Sequence, residues 1–363
     1  MTFNGPFKVK TFDIDTGSFT LGRNLGYHQS PDKKDYDNKV NPDTLEATFT
    51  VAGEEVAISY SDLESKTVFY MTDASVADRA EYKSKAEVYD DTSVYTYVFN
   101  TANELFAIKE VRQALSLAID REAIAEAIVF GKAADGFIPD VCGGSGEALI
   151  STDADMSAAK QLLSTVDLSG ISKSFTLSVN DDEESLLIAS LVKTAWSELG
   201  FNVTVEPVGA VKSVVQENEI VDSGIQWLVK EASYGNYDFD VLAVDWQLYS
   251  TDAFVGLCAF SSTIGGGGYD VSANATRRNI SAWMNASYDT LMNNAFKSKG
   301  AARADALIRA EALLCSELPV CPIVFNQTFA FENKAISGVD VDGFGNLVFT
   351  DMKQKNYRKY LED

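Results

Sequence analysis

Histidine is almost missing from this sequence: its 363 residues include one, His28. Histidine-rich metal sites therefore lack ligands, and Ser-His or Cys-His chemistry has one candidate base. That base lies at a charged loop, where a surface polar residue is the simpler reading. Cysteine is sparse too. Cys142, Cys258, Cys315 and Cys321 contain no Cys-x-x-Cys pair, which argues against a zinc ribbon or a thioredoxin-like redox pair. Their even number permits three disulfide connectivities. Cys315 and Cys321 bracket an expected helix end and the next strand, so a local bridge and two small buried thiols both stay open. No stretch approaches the roughly 18 apolar residues of a membrane-spanning helix. Met1-Thr2-Phe3-Asn4-Gly5 has neither the basic start nor the apolar stretch of a signal peptide. The chain is thus expected to be cytoplasmic or to have lost its start. Basic residues are in deficit: 30 against 53 acids give a formal net charge of −23, which disfavours nucleic acid and anionic membranes as partners. Most of the acid reads as a solvated surface.

What is present suits packed cores. The apolar share is 46%, with 11% aromatic residues, and the length exceeds what one core usually serves, so two domains or lobes are expected. Residues 1 to 100 carry mostly strand signals, at Phe7 to Phe12, Ala47 to Val51, Glu55 to Tyr60 and Ser93 to Phe99. Between them Gln29 to Pro42 reads as a loop. From about Phe106 the period turns helical, with Val111, Leu115, Ala118 and Ile119 on one face. Asp120 sits where an N-cap belongs before a second helix, and Gly131 is a candidate C-terminal cap. Phe175 to Val179, Glu184 to Leu199 and Phe201 to Val208 form a strand, helix, strand unit, with Leu187, Leu191 and Trp196 expected to face inward. Asp240 to Trp246 reads as a strand. Helices are expected at Tyr288 to Lys297 and Arg303 to Glu317, followed by strands from Val320 to Phe331.

The search for catalytic chemistry returns little. Two carboxylates suffice for a glycosidase, yet among 53 acids no pair stands in a recognisable motif. Gly265-Gly266-Gly267-Gly268 lacks the following Lys-Ser/Thr of a phosphate cradle and reads as a surface loop. Five Asn-x-Ser/Thr tripeptides, at Asn202, Asn274, Asn279, Asn285 and Asn326, read as incidental, since Asn202 falls within a strand. A metal-carrying role is disfavoured by the shortage of nitrogen ligands.

The run from Val111-Arg112-Gln113-Ala114-Leu115 through Ile119-Asp120-Arg121-Glu122 to Phe137-Ile138-Pro139 resembles the hallmark segment of the family 5 bacterial extracellular solute-binding proteins. Further stretches agree in order: Gly5-Pro6-Phe7-Lys8-Val9, Leu21-Gly22-Arg23-Asn24-Leu25-Gly26-Tyr27, Tyr237-Asp238-Phe239-Asp240-Val241, Trp283-Met284-Asn285, Ala310-Glu311 and Leu318-Pro319-Val320. The resemblance implies an α/β fold of the two-lobe, type II periplasmic-binding-protein-like kind, with mixed β-sheets flanked by helices and a hinge between lobes. Residues 1–104 would be part of lobe I, with 331–363 returning to it, and 105–330 would form lobe II. Crossings near Asn100 to Phe106 and Gln327 to Asn333 would bend. The implied function is capture of extracellular peptides or peptide-like solutes for import by an ABC permease, without catalysis, cofactor or metal. A monomer is expected, carried as a cell-surface lipoprotein or periplasmic protein. Against family members the chain lacks a leader, opening strands and a peripheral domain, so N-terminal truncation is expected. The alternatives are binding of a non-peptide solute such as an oligosaccharide, a carboxylate glycosidase, and a sensory module docking to a membrane receptor.

Aromatic walls and a few polar groups make such clefts. Trp246, Tyr95 and Tyr97 are candidates for the walls, with core packing as the plainer reading of each. In peptide-binding members an aspartate three residues past the tryptophan pairs with the ligand's α-ammonium; here that position is Tyr249. A phenol stays neutral near pH 7 and supplies no charge to an ammonium. Asp245, where the family usually has glycine, and Asp252 are nearby acids able to substitute, and Gln247 adds a polar side chain.

Overall fold

A computed structural model describes residues 5–27, 40–49, 58–209, 212–216, 219–264, 269–270, 275–276, 278–342 and 346–356. His28, Asn274, Gly265 to Gly268 and most of the Gln29 to Pro42 loop lie outside them. The chain divides into two compact units, 1–89 with 328–363, and 90–327.

In the first unit, Phe7–Asp13, Ser18–Arg23 and Thr44–Thr48 form an antiparallel three-stranded sheet, with a register shift between Val9 and Thr11. β-Propensity predicts strand over Glu55 to Tyr60; Glu55 to Ala57 lie outside the described residues, and Tyr60 opens a helix, Tyr60–Ser65. Ser59 and Asp62 cap its start reciprocally, a local signal that outweighs β-propensity. Tyr60 stacks on Tyr82 at 3.8 Å and meets the edge of Phe331 at 5.2 Å. Lys85 lies 4.8 Å from the Tyr60 ring, covering the stack with a cation.

The second unit is built on a mixed sheet ordered Val320–Glu332, Glu87–Phe99, Val241–Gln247, Ser174–Val179, Asn202–Pro207. Val241–Gln247 runs antiparallel to Glu87–Phe99 and parallel to Ser174–Val179, which in turn pairs in parallel with Asn202–Pro207 through the Glu183–Glu198 crossover. The sequence therefore indicates this strand, helix, strand unit correctly. Trp196, fully buried, is its anchor: its Nε1 donates to the Leu115 carbonyl at 2.9 Å, and Tyr97, Phe99 and Phe175 surround the indole. The inward stripe differs from expectation. Ile188, Ala189, Val192 and Trp196 are buried, whereas Leu191 is exposed. The helix carries apolar residues around much of its circumference, so leucine spacing alone misplaces the face.

Asp120 caps Arg121–Ile128 by accepting from the Ala123 N–H. Gly131 is not that helix's terminal cap: Val129 ends the helix at φ 76°, and Gly131 begins a short strand paired with Val320–Glu332. A Cβ on Gly131 would stand 2.6 Å from Val324 Cγ1, so close packing demands the glycine. The guanidiniums of the preceding segment are spent on scaffold. Arg112 donates to the carbonyls of Phe106, Glu317 and Leu318, and Arg121 to those of Ser116, Ser151 and Pro322. All four cysteines are free.

Candidate ligand-binding site

Val241–Gln247 is apolar for four residues, all buried, and then turns polar and open at Asp245. Its pairing with Glu87–Phe99 sets Asp245 opposite Tyr95, Ala243 opposite Tyr97, Gln247 opposite Ser93 and Trp246 opposite Val94. Residues opposed across antiparallel strands share a face. Asp245, Gln247, Tyr95 and Tyr97 thus occupy one face, and Trp246 the other.

Tyr97 is wholly buried and Tyr95 nearly so, both in the core around Trp196. Burial pushes both phenols above their ordinary range. Trp246 is half-buried: it stacks on Phe260 at 5.1 Å and meets Phe137 edge-on at 6.0 Å. Tyr249 lies past the strand end, 82% exposed, at φ 31°. Asp252 caps the Ala253–Cys258 helix and accepts from Arg303 Nη2 at 2.7 Å. Burial raises its carboxyl, but the Arg303 and Phe254 hydrogen bonds outweigh that and hold it below the usual range. Asp252 is therefore already committed to a cation.

Asp245 differs. Water reaches it, yet protein groups crowd it closely. Asn326 Nδ2 donates to Asp245 Oδ1 at 2.6 Å and to Ser93 Oγ at 2.8 Å. Burial, reinforced by the Asp91 and Glu184 charges and opposed by the Asn326 and Ser93 hydrogen bonds, pushes its carboxyl up to about 6. Around it, Gln247 Nε2 donates to Thr92 Oγ1, and Asp90 accepts from Lys132 at 2.7 Å and Gln327 at 2.9 Å. Those two donors hold the Asp90 carboxyl below its usual range. No Lys or Arg forms an ion pair with Asp245 among the described residues. The arrangement is a cluster of carboxylates and amides in which Lys132 pairs with Asp90, and Asp245 has no ion-pair partner among the described residues.

Asn326, Ser93, Asp91 and Asp90 are absent from the sequence-derived candidates. The signal was available for one of them: Asn326-Gln327-Thr328 interrupts an otherwise apolar strand. No group of three or more His, Cys, Asp or Glu suited to a metal occurs among the described residues.

Residues 1–268 match the bacterial extracellular solute-binding proteins, family 5 Middle. The chain belongs to that family. Among curated relatives, the oligopeptide-binding protein OppA of Bacillus subtilis is 24% identical over 268 residues, covering 70% of this chain and 44% of OppA. The probable ABC transporter periplasmic-binding protein SapA of Escherichia coli is 23% identical over 257 residues, covering 69% of this chain and 42% of SapA. The chain thus spans less than half the length of these curated relatives. Among solved structures, the substrate-binding domain of an oligopeptide ABC transporter from Bacillus anthracis aligns with TM-score 0.73 at 17% identity, over 98% of this chain and 65% of that one. Peptide-bound OppA of Listeria monocytogenes aligns with TM-score 0.71 at 16% identity, over 97% and 64%. The fold is that of the type II periplasmic-binding-protein-like family members, which are substrate-binding proteins rather than enzymes.

Proposed function

We propose that this chain is the substrate-binding component of an ABC importer and captures peptides outside the cytoplasm, with its two compact units as parts of the two lobes. It acts by binding alone and hands its ligand to a membrane permease. The observation that carries the peptide reading is Asp245: an open carboxylate with no ion-pair partner among the described residues, set at the carboxyl end of the central strand. A peptide's α-ammonium is a fitting counter-charge. Asn326 and Gln247 offer polar groups for peptide amides beside Asp245, and Trp246, on the other face of the strand end, offers a flat apolar wall. Tyr249 supplies no charge, so the acid function moves four residues back, to Asp245. Asp252 is set aside because Arg303 holds it.

Calorimetric titration with di- to hexapeptides and with oligosaccharides tests this. Peptides with free amino termini should bind, and acetylation of the terminus should weaken them. Tight oligosaccharide binding with no peptide response would overturn the peptide reading, and turnover of a glycoside would overturn the non-catalytic one.

A further inference from the structure

One buried carboxylate has no part in the site above. Glu311, on the Gly300–Glu317 helix, is 2% exposed and forms no ion pair with Lys or Arg among the described residues. Its partners are backbone donors instead. Oε1 accepts from the N–H groups of Phe137 at 3.2 Å and Ile138 at 2.9 Å, and Oε2 from that of Ser145 at 3.0 Å. A carboxylate can satisfy three converging donors where a neutral amide cannot, because one end of the amide would face a donor with a donor. The loop is shaped to it. A Cβ on Gly136 would press on Oε1 at 3.0 Å, and one on Gly144 would stand 2.4 Å from the Ile138 carbonyl oxygen. What the clamp fixes is Phe137, wholly buried, whose ring meets Trp246 at 6.0 Å and Phe260 at 5.3 Å.

We infer that Glu311 is a positioning residue for the Trp246 wall, acting through the loop from Phe137 to Ser145. This rests on the reading of Trp246 as a ligand wall only where affinity is concerned. The clamp aligns two of the aromatic rings before any ligand arrives, which limits the ordering that binding would otherwise require.

The protein labelled with 5-fluorotryptophan, its Trp246 resonance assigned by W246F, gives a readout without ligand. E311Q keeps the Phe137 and Ile138 bonds at best and loses that to Ser145. The Trp246 resonance should shift or broaden in E311Q, and also in F137L, which breaks the next link. V192A, at a buried site in the core around Trp196, should lower thermal stability and leave that resonance in place. Affinity for a tripeptide with a free amino terminus should fall roughly tenfold in E311Q and remain within about twofold in V192A. If E311Q does not fold, E311D, which withdraws the carboxylate by one methylene, is read the same way. An unmoved Trp246 resonance in the folded variant, or an equal change in V192A, overturns the inference. A shifted resonance with unchanged affinity would leave Glu311 its role and remove Trp246 from the site. Absence of peptide binding by the unmodified protein would count against the proposed function alone.

Discussion

Acidification should release a peptide with a free amino terminus without unfolding its receptor. With the Asp245 carboxyl pushed up to about 6, ionisation falls from about 97% at pH 7.5 to about 9% at pH 5. An α-amino group, with an ordinary pKa of about 7.7–8.0, only gains charge as the pH falls, so the counter-charge is what disappears. Affinity should drop roughly tenfold. For the same tripeptide acetylated at its amino terminus, affinity should change by less than about twofold, and D245N should bind both weakly and alike at either pH. The stability consequence has the opposite sign. Because the folded-state carboxyl lies above its ordinary value near 3.8, the folded protein holds this proton more tightly than the unfolded chain does. That contribution is fully present below pH ~4 and is lost as pH rises through about 6. At this site, acid therefore weakens binding while it favours folding, which separates specific release from acid unfolding. Calorimetry at five pH values between 5 and 7.5, with parallel thermal melts, makes the measurement. Equal losses of affinity for the free and acetylated peptides would refute the assignment.

Other consequences concern the scaffold. W196F removes the donor to the buried Leu115 carbonyl and leaves a gap among three neighbouring rings; it should cost about 2–4 kcal/mol in denaturant unfolding. G131A forces a methyl against Val324 and Ile128 and should cost about 1–3 kcal/mol, whereas a helix-cap glycine at that position would tolerate alanine at less expense. Of the four thiols, Cys258 alone is partly exposed. It should react first with an aromatic disulfide reagent, slowly because burial raises its pKa, and the other three should react only after unfolding. R303A should strip Asp252 of its cation and leave peptide affinity within about twofold, since Asp252 has no assigned role in the site; a tenfold loss would return Asp252 to the candidates.

Local rules carried the reading of the fold a long way. Asp120 before an apolar helix, and Gly200 between helix and strand, mark boundaries that backbone chemistry enforces nearby. Failures came where tertiary contact decides. Gly131 looks like a helix stop until Val324, distant in sequence, is seen to crowd it. Leu191 is as apolar as Val192, and only the neighbouring sheet selects between them. The candidate site shows the same division. Trp246 was legible as an aromatic at the end of an apolar strand, and Asp245 and Gln247 as polar residues beside it. Their assortment onto two faces follows from register with Glu87–Phe99, and Asn326 reaches Asp245 across 81 residues of chain. Tyr95 and Tyr97 alternate as a cleft wall would, and equally as a core would, because alternation reports a shared face without saying what covers it.

The two guanidiniums in the segment after Asn100 give this acidic protein internal ties that are indifferent to the titration at Asp245. Arg121 is held by carbonyls, a hydroxyl and a thiol, and carbonyl acceptors have no proton to gain. Burial lowers Arg112 to about 10, far above any pH at which a carboxylate switches. Segments as distant as Ser116, Ser151 and Pro322 therefore stay tied while surface acids neutralise. On the proposed function, the grip on an ammonium group could change with pH while these particular ties persist.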